Sequence, residues 1–291
     1  MKFRSVLNDH PLVSFREALL RGIAPDGSLY VPESISPLPA GVKSSSATQS
    51  LPRVAAQVLG AYIEEISAEQ IQKMADRAFS FPIPLVKLED DLYLLELFHG
   101  PTLAFKDVGA RFMASALSYF LEQEQRELTI AVATSGDTGS AVAQGFVNVP
   151  HISVFVLYPS GKISTLQEQQ ITTVGGNIHA IEVDGTFDDC QHLVKMALAD
   201  EDLVRARNLT TANSINLGRL IPQITYYVWG LLELQRQAGQ STNQEIAADV
   251  CVPSGNFGNG SGHSEARIGG AGPRHTHRVV LRSPRCRGLA G

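Results

Sequence analysis

A single lysine, Lys106, stands in the stretch "HGPTLAFKD", His99 to Asp107, inside an otherwise small and apolar run. Burying an unpaired ammonium is expensive. Such a position asks either for an amine held neutral and reactive or for one that reaches water. Two other stretches have the composition of anion cradles. "ATSGDTGSAVA", Ala133 to Ala143, offers backbone N–H groups and the hydroxyls of Ser135, Thr138 and Ser140 where a helix should begin. "VPSGNFGN", Val252 to Asn259, sets glycines around Asn256 and Phe257, which lets a backbone wrap a phosphate. It is neither a Walker loop nor a G-x-G-x-x-G fingerprint. Taken singly, each loop is also what a capped turn or a sharp corner looks like.

Together the three stretches describe one chemistry. Desolvation and nearby positive potential disfavour an ammonium, and a neutral lysine attacks aldehydes and shuttles protons. A cofactor that carries both an aldehyde and a phosphate suits all three: pyridoxal 5′-phosphate.

The elements that must position these residues follow from periodicity. "SFREALLRG" has helix spacing and a stop at Gly22, "APDGSLYVPE" reads as a turn and short strand, and helical material follows a polar connection at "PLPAGVKSSSATQS". From residue 92 strands and helices alternate. The expected strands are "LYLLELF", "LTIAVAT", "HISVFVLYP", "NIHAIEVDG" and "AADVCVPSG". The expected helices are "DVGARFMASALSYFLEQ", "GSAVAQGFV", "ISTLQEQQITTVG", "TFDDCQHLVKMALAD" with Thr186 as N-cap, and one long helix "LIPQITYYVWGLLELQRQ". This pattern predicts an α/β fold with a parallel sheet, whose ligands sit beyond the carboxyl ends of the strands.

Composition sets limits. The 291 residues are 44% hydrophobic, enough for a large core. No apolar run is long enough to span a membrane, and "MKFRSVLNDH" has no signal-peptide core, so the expectation is a soluble, cytoplasmic protein. Cys190, Cys251 and Cys286 are far apart and odd in number, which suggests neither disulfides nor a metal site. Up to Asn259 there are 18 Lys and Arg against 28 Asp and Glu, a balance of −10; beyond it, 6 Arg against one Glu give +5. An acidic body makes nucleic acid an unsuitable partner.

In order and spacing, "FREALLRGIAPDGSLYVPE", "LELFHGPTLAFKD", "ATSGDTGSAVA", "YPSGKISTLQEQQITTVGGNIHAIEVDGTFDDCQ", "ANSINLGRLIPQITYY" and "VPSGNFGN" resemble the threonine synthases of the bacterial and fungal type. These are fold-type II, tryptophan synthase β-like pyridoxal-phosphate enzymes. They convert O-phospho-L-homoserine and water to L-threonine and phosphate, the last step of threonine biosynthesis. The resemblance implies that Lys106 links to the cofactor and then serves as the general base. It implies that Gly255, Asn256, Phe257, Gly258 and Asn259 hold the cofactor phosphate. It places Asp137 at the cofactor ring, and Ser135 and Thr138 at the substrate. Lys162, Ser214, Asn216 and Arg219 have the right chemical types for the substrate's own phosphate. His99 reads equally as a packed, hydrogen-bonded histidine or a catalytic one; Tyr226 and Tyr227 read as core or ring-adjacent packing. No metal is implied, and monomer and homodimer both stay open.

The expected division is an N-terminal segment at 1–82 and a catalytic region at 83–259, with a nested smaller domain near 125–200. At 260–291 the family pattern stops. Seven glycines, six arginines and no helix or strand period replace the helix, further large-domain residues and late Ser or Thr that the resemblance implies. A disordered basic tail and a nucleic-acid-binding tail are two readings; the expectation here is a shifted reading frame. It carries a consequence: an incomplete large domain that folds poorly, binds the cofactor weakly and has little or no synthase activity. Two other functions compete. A phospho-lyase or hydroxy-amino-acid dehydratase on the same fold would release 2-oxobutyrate, although "APDGSLYVPE" and "NSIN" favour the synthase. A non-catalytic protein would use the basic tail on an acidic partner.

Overall fold

The computed structural model describes residues 1–7, 10–43, 49–238, 248–252 and 279–280. Phe3–Ser5 (β1) pairs antiparallel with Tyr30–Pro32 (β2). Between them Phe15–Arg21 (α1) begins at Ser14, whose hydroxyl accepts from Glu17 N, and ends at Gly22 with φ 75°, as the sequence predicts. Asp26 fastens this preface. Its carboxylate accepts from Ser5 Oγ and Ser28 N, and these bonds hold it down at a pKa of about 2. Ala40–Lys43 (α2), Leu51–Gly60 (α3) and Ala68–Ala78 (α4) complete the helical segment.

Leu85–Glu89 (β3) and Leu92–Leu95 (β4) form an antiparallel hairpin with an irregularity between Lys87 and Glu89. This corrects the expectation that "LYLLELF" belongs to the parallel series. The Asp90-Asp91 turn, with Asp91 at φ 62°, folds the strand back on its own neighbour.

The parallel series begins after the next helix. Lys106–Glu124 (α5) leads to Leu128–Ala133 (β5), Asp137–Phe146 (α6), Ile152–Pro159 (β6), Thr165–Thr172 (α7) and Ile178–Val183 (β7). Phe187–Ala199 (α8), Glu201–Arg207 (α9) and Leu209–Thr210 (β8) follow. The four strands lie in the order β7-β6-β5-β8, all parallel. Thr186 caps α8 as expected, in a reciprocal box with Asp189. Neither α9 nor β8 is visible in the periodicity, because a two-residue strand has no period to read.

Alternation along β5 shows how the sheet is covered. Ile130 and Val132 enter the main core with α5 and α6, whereas Ala131 and Ala133 face a second cluster with Cys190 and Val194 of α8. The predicted long helix is broken. Leu217–Leu220 (α10) passes through a 3-10 turn, Ile221–Gln223, into Ile224–Gln237 (α11). Pro222 explains the break, since it lacks the N–H and crowds the carbonyl four residues back. Finally, Val279–Val280 (β10) pairs parallel with Val250–Cys251 (β9), a pairing too short to show as a strand period in the sequence. Among the described residues no helix is long and apolar enough to cross a membrane.

Candidate active site

Lys106 opens α5, and the turn before it is tightly determined. Asp107, buried, accepts from Thr102 N at 2.9 Å and from Thr102 Oγ1 at 2.6 Å. Burial pushes the Asp107 carboxyl up, against the lowering effect of those bonds. Leu103 N donates to Gly100 O at 3.1 Å, and Leu103 itself lies at φ 59° although it carries a branched side chain. A non-glycine residue there is strained by about 1–3 kcal/mol and must be held by its surroundings. Gly100 completes the hold, because a Cβ at that position would lie 2.3 Å from Asp107 Oδ2.

At the carboxyl end of β5, Thr134 Oγ1 accepts from the backbone N–H groups of Gly136 and Gly139, which shapes the turn into α6. Asp137 begins that helix, where a carboxylate is favoured by the helix dipole. Lys106 Nζ donates to Asp137 Oδ2 at 3.1 Å and lies 4.6 Å from the Phe105 ring centroid. The amine is therefore paired rather than alone in an apolar pocket, which corrects the expectation of an isolated lysine. Burial raises the Asp137 carboxyl, but the Lys106 charge and the bonds from Lys106 and Gln167 outweigh it and leave it below the ordinary carboxylate range. Gln167, which sequence reasoning did not single out, donates to Asp137 Oδ1 at 2.7 Å.

The other predicted site residues distribute unevenly. Ser135 is exposed and Thr138 half-buried in the same β5–α6 turn as Asp137. Lys162 is exposed and donates to Gly185 O at 2.8 Å, which ties the β6 and β7 loops together. Ser214 lies half-buried in the turn between β8 and α10. Asn216 is fully buried: its amide donates to Leu19 O and Thr211 O and accepts from Gly218 N. It thus binds the N-terminal segment to the sheet. Arg219 is also fully buried and donates to Ala212 O at 2.8 Å, while its Nε and Nη2 have no hydrogen-bond partner among the described residues. Burial lowers its pKa to about 10, with Asp107 and Tyr226 opposing. His99 pairs with Glu96 at 2.7 Å, and Tyr226 and Tyr227 are buried on α11, with Tyr226 donating to Gln223. Gly255, Asn256, Phe257, Gly258 and Asn259 lie outside the described residues. Among the described residues no cluster of His, Cys, Asp or Glu could hold a metal ion.

A half-buried lysine beside a Ser-Gly-Asp-Thr-Gly turn, both at the carboxyl edge of a parallel sheet, finds its counterpart in known proteins. The family model described as "Pyridoxal-phosphate dependent enzyme" matches residues 32–286. The chain belongs to this family. Its cofactor is pyridoxal 5′-phosphate, and its architecture is the fold-type II one. Curated relatives include the threonine synthase of Escherichia coli (strain K12), 43% identical over 264 residues that cover 89% of this chain and 59% of that protein. That of Schizosaccharomyces pombe is 42% identical, covering 84% and 50% respectively. The crystal structure of the Escherichia coli threonine synthase superposes with a TM-score of 0.81 at 39% identity, over 96% of this chain and 62% of that one. The pyridoxal-phosphate-bound threonine synthase of Brucella melitensis gives 0.84 at 36%, over 92% and 58%. The chain thus spans between half and three fifths of the length of these curated relatives.

The described donor set fits the cofactor at its reactive end. A single amine, 15% exposed, reaches the carboxyl edge of the sheet with a carboxylate beside it. The Arg219 guanidinium, buried with two nitrogens unpartnered among the described residues, is chemically suited to an anion. Three residues escaped sequence reasoning. Gly100 and Asp107 sit in the quoted "HGPTLAFKD" stretch, and that local grouping was the signal; Gln167 gave none.

Proposed function

We propose that the chain carries the lysine-bearing part of a pyridoxal-phosphate-dependent threonine synthase. The observation that carries this reading is the approach of Lys106 Nζ to Asp137 at 3.1 Å, at the sheet edge where such ligands sit. The similarity to curated threonine synthases supports the substrate, O-phospho-L-homoserine. Bound pyridoxal phosphate supplies an aldehyde to hold the substrate amine and a ring that draws electrons from the α-carbon. Lys106 Nζ anchors the cofactor, then takes the α-proton and returns protons to the substrate carbons. Asp137, fixed at the start of α6, orients that amine. Ser135 and Thr138, on the same turn, face the substrate carboxylate. Arg219 is the strongest of the candidates for the leaving phosphate, because two of its nitrogens lack a partner among the described residues. Phosphate departs from Cγ and water adds at Cβ.

The test is product identity rather than rate, because the chain is shorter than its relatives. The purified chain, given pyridoxal phosphate and O-phospho-L-homoserine, should yield threonine and phosphate in equal amounts. Formation of 2-oxobutyrate instead would move the function to the phospho-lyase class. Threonine formed at an ordinary enzyme rate would instead overturn the expectation that the shortened chain has little or no synthase activity.

A further inference from the structure

Asp137 offers two oxygens, and the structure assigns them to different partners. Oδ2 receives Lys106 Nζ at 3.1 Å, and Oδ1 receives Gln167 Nε2 at 2.7 Å. We infer that Gln167 is a positioning residue that holds the Asp137 carboxylate in register with Lys106. This rests on the reading of Lys106 as the reactive lysine.

The orientation of the Gln167 amide is set from its other end. Its Oε1 accepts from Ser164 N at 3.2 Å and from Ser164 Oγ at 3.0 Å, within the capping box that starts α7. A backbone N–H can only donate, so the oxygen must face Ser164 and the NH₂ must face Asp137. A second observation is steric. Gly136, immediately before Asp137, has φ 131°, and a Cβ there would lie 2.3 Å from the Gln167 amide carbon. The turn that presents Asp137 is thus moulded against this one side chain. Without it Asp137, whose side chain is 52% exposed, has open rotamers, and few would keep an oxygen on Lys106. A chain of contacts therefore runs from the cap of α7, through Gln167 and Asp137, to the amine at the head of α5.

The experiment uses the full 291-residue chain without cofactor. Trace acetylation with acetic anhydride at one fixed pH is followed by peptide mass spectrometry, with the Lys106 rate taken relative to exposed Lys195. Only the neutral amine reacts, so loosening its counter-ion speeds the reaction. Asp137→Ala and Gln167→Met are each expected to raise the Lys106 rate about two- to fivefold, the scale of a partly exposed ion pair. Met keeps the length and the packing against Gly136 but has no donor. Ser164→Ala, which weakens the helix cap but keeps the backbone N–H that holds Gln167 Oε1 and so leaves the Gln167–Asp137 bond, is expected to react at the parent rate.

A parent-like rate in Gln167→Met would overturn the assignment. So would a Ser164→Ala rate equal to that of Gln167→Met, since the cap alone would then explain the effect. A parent-like rate in Asp137→Ala would overturn it as well, by removing the pair on which it depends. Should circular dichroism show Gln167→Met unfolded, Gln167→Asn replaces it with the same expectations. Reductive trapping of pyridoxal phosphate on the parent tests the cofactor reading separately, and the labelling pattern stands or falls without it.

Discussion

Lys106 and Asp137 each begin a helix, 31 residues apart in sequence, and their side chains meet at 3.1 Å. The pairing resolves a local conflict. An ammonium at a helix N-terminus opposes the helix dipole, whereas a carboxylate there is favoured. Asp137 offsets the first while it satisfies the second. Fixing the two helix starts to one another also fixes the amine at the sheet edge.

This pair has a pH signature. The folded value of Asp137 is held below its unfolded value, so its contribution to stability is full above about 3.9 and is lost as pH falls through the folded value. Urea unfolding of the parent and of Asp137→Asn should show a stability gap at about pH 6 that narrows as pH falls below about 3.9. A gap that does not change with pH would place the stabilisation elsewhere.

Gly100→Ala should destabilise the chain by about 1–3 kcal/mol, because the added methyl must displace the buried Asp107 carboxylate and meets Phe81 at 2.9 Å. Urea midpoints at equal m-value provide the measurement. A variant within a few tenths of a kcal/mol of the parent would mean that the turn before Lys106 is looser than described.

Asn216→Ala removes an amide that joins Leu19, Thr211 and Gly218, residues from three separate segments. The loss should be about 1–3 kcal/mol for the buried groups left unpaired. Limited proteolysis should then cut within the first 43 residues sooner than in the parent. Unchanged proteolysis with weakened substrate binding would restore Asn216 to the substrate-contact role expected from its residue type.

Arg219→Met exchanges a buried guanidinium, with one hydrogen bond among the described residues, for an apolar side chain of similar reach. In the cofactor-free chain this should be neutral or stabilising, by up to about 4 kcal/mol. Inorganic phosphate should raise the thermal midpoint of the parent and not that of the variant. A destabilised variant, with phosphate indifferent to both, would make Arg219 a structural residue.

Much of this was legible in the chain because it is local. Lys106 stands out against apolar neighbours, "SGDTG" announces a strand-to-helix turn, and Thr186 three residues before Asp189 announces a capped helix. What stayed hidden depends on contacts between distant segments. The hairpin of β3 and β4 looks like any strand until its partner is known, and β8 is too short to carry a period. Gln167 sits in an ordinary polar helix start, and only the fold brings it to Asp137. The counter-ion of Lys106 stayed hidden for the same reason, since it lies in another loop. Arg219 was singled out for its type, but its complete burial follows from α10 packing on Gly109 of α5, which no spacing reveals.

The most direct measurement is reductive trapping. The chain is incubated with pyridoxal 5′-phosphate, reduced with borohydride, digested, and mapped by mass spectrometry. A cofactor adduct on Lys106, and its disappearance in Lys106→Ala, is the predicted result. An adduct spread over exposed lysines such as Lys73 and Lys195, with Lys106 unmodified, would contradict the assignment of Lys106 and the function built on it.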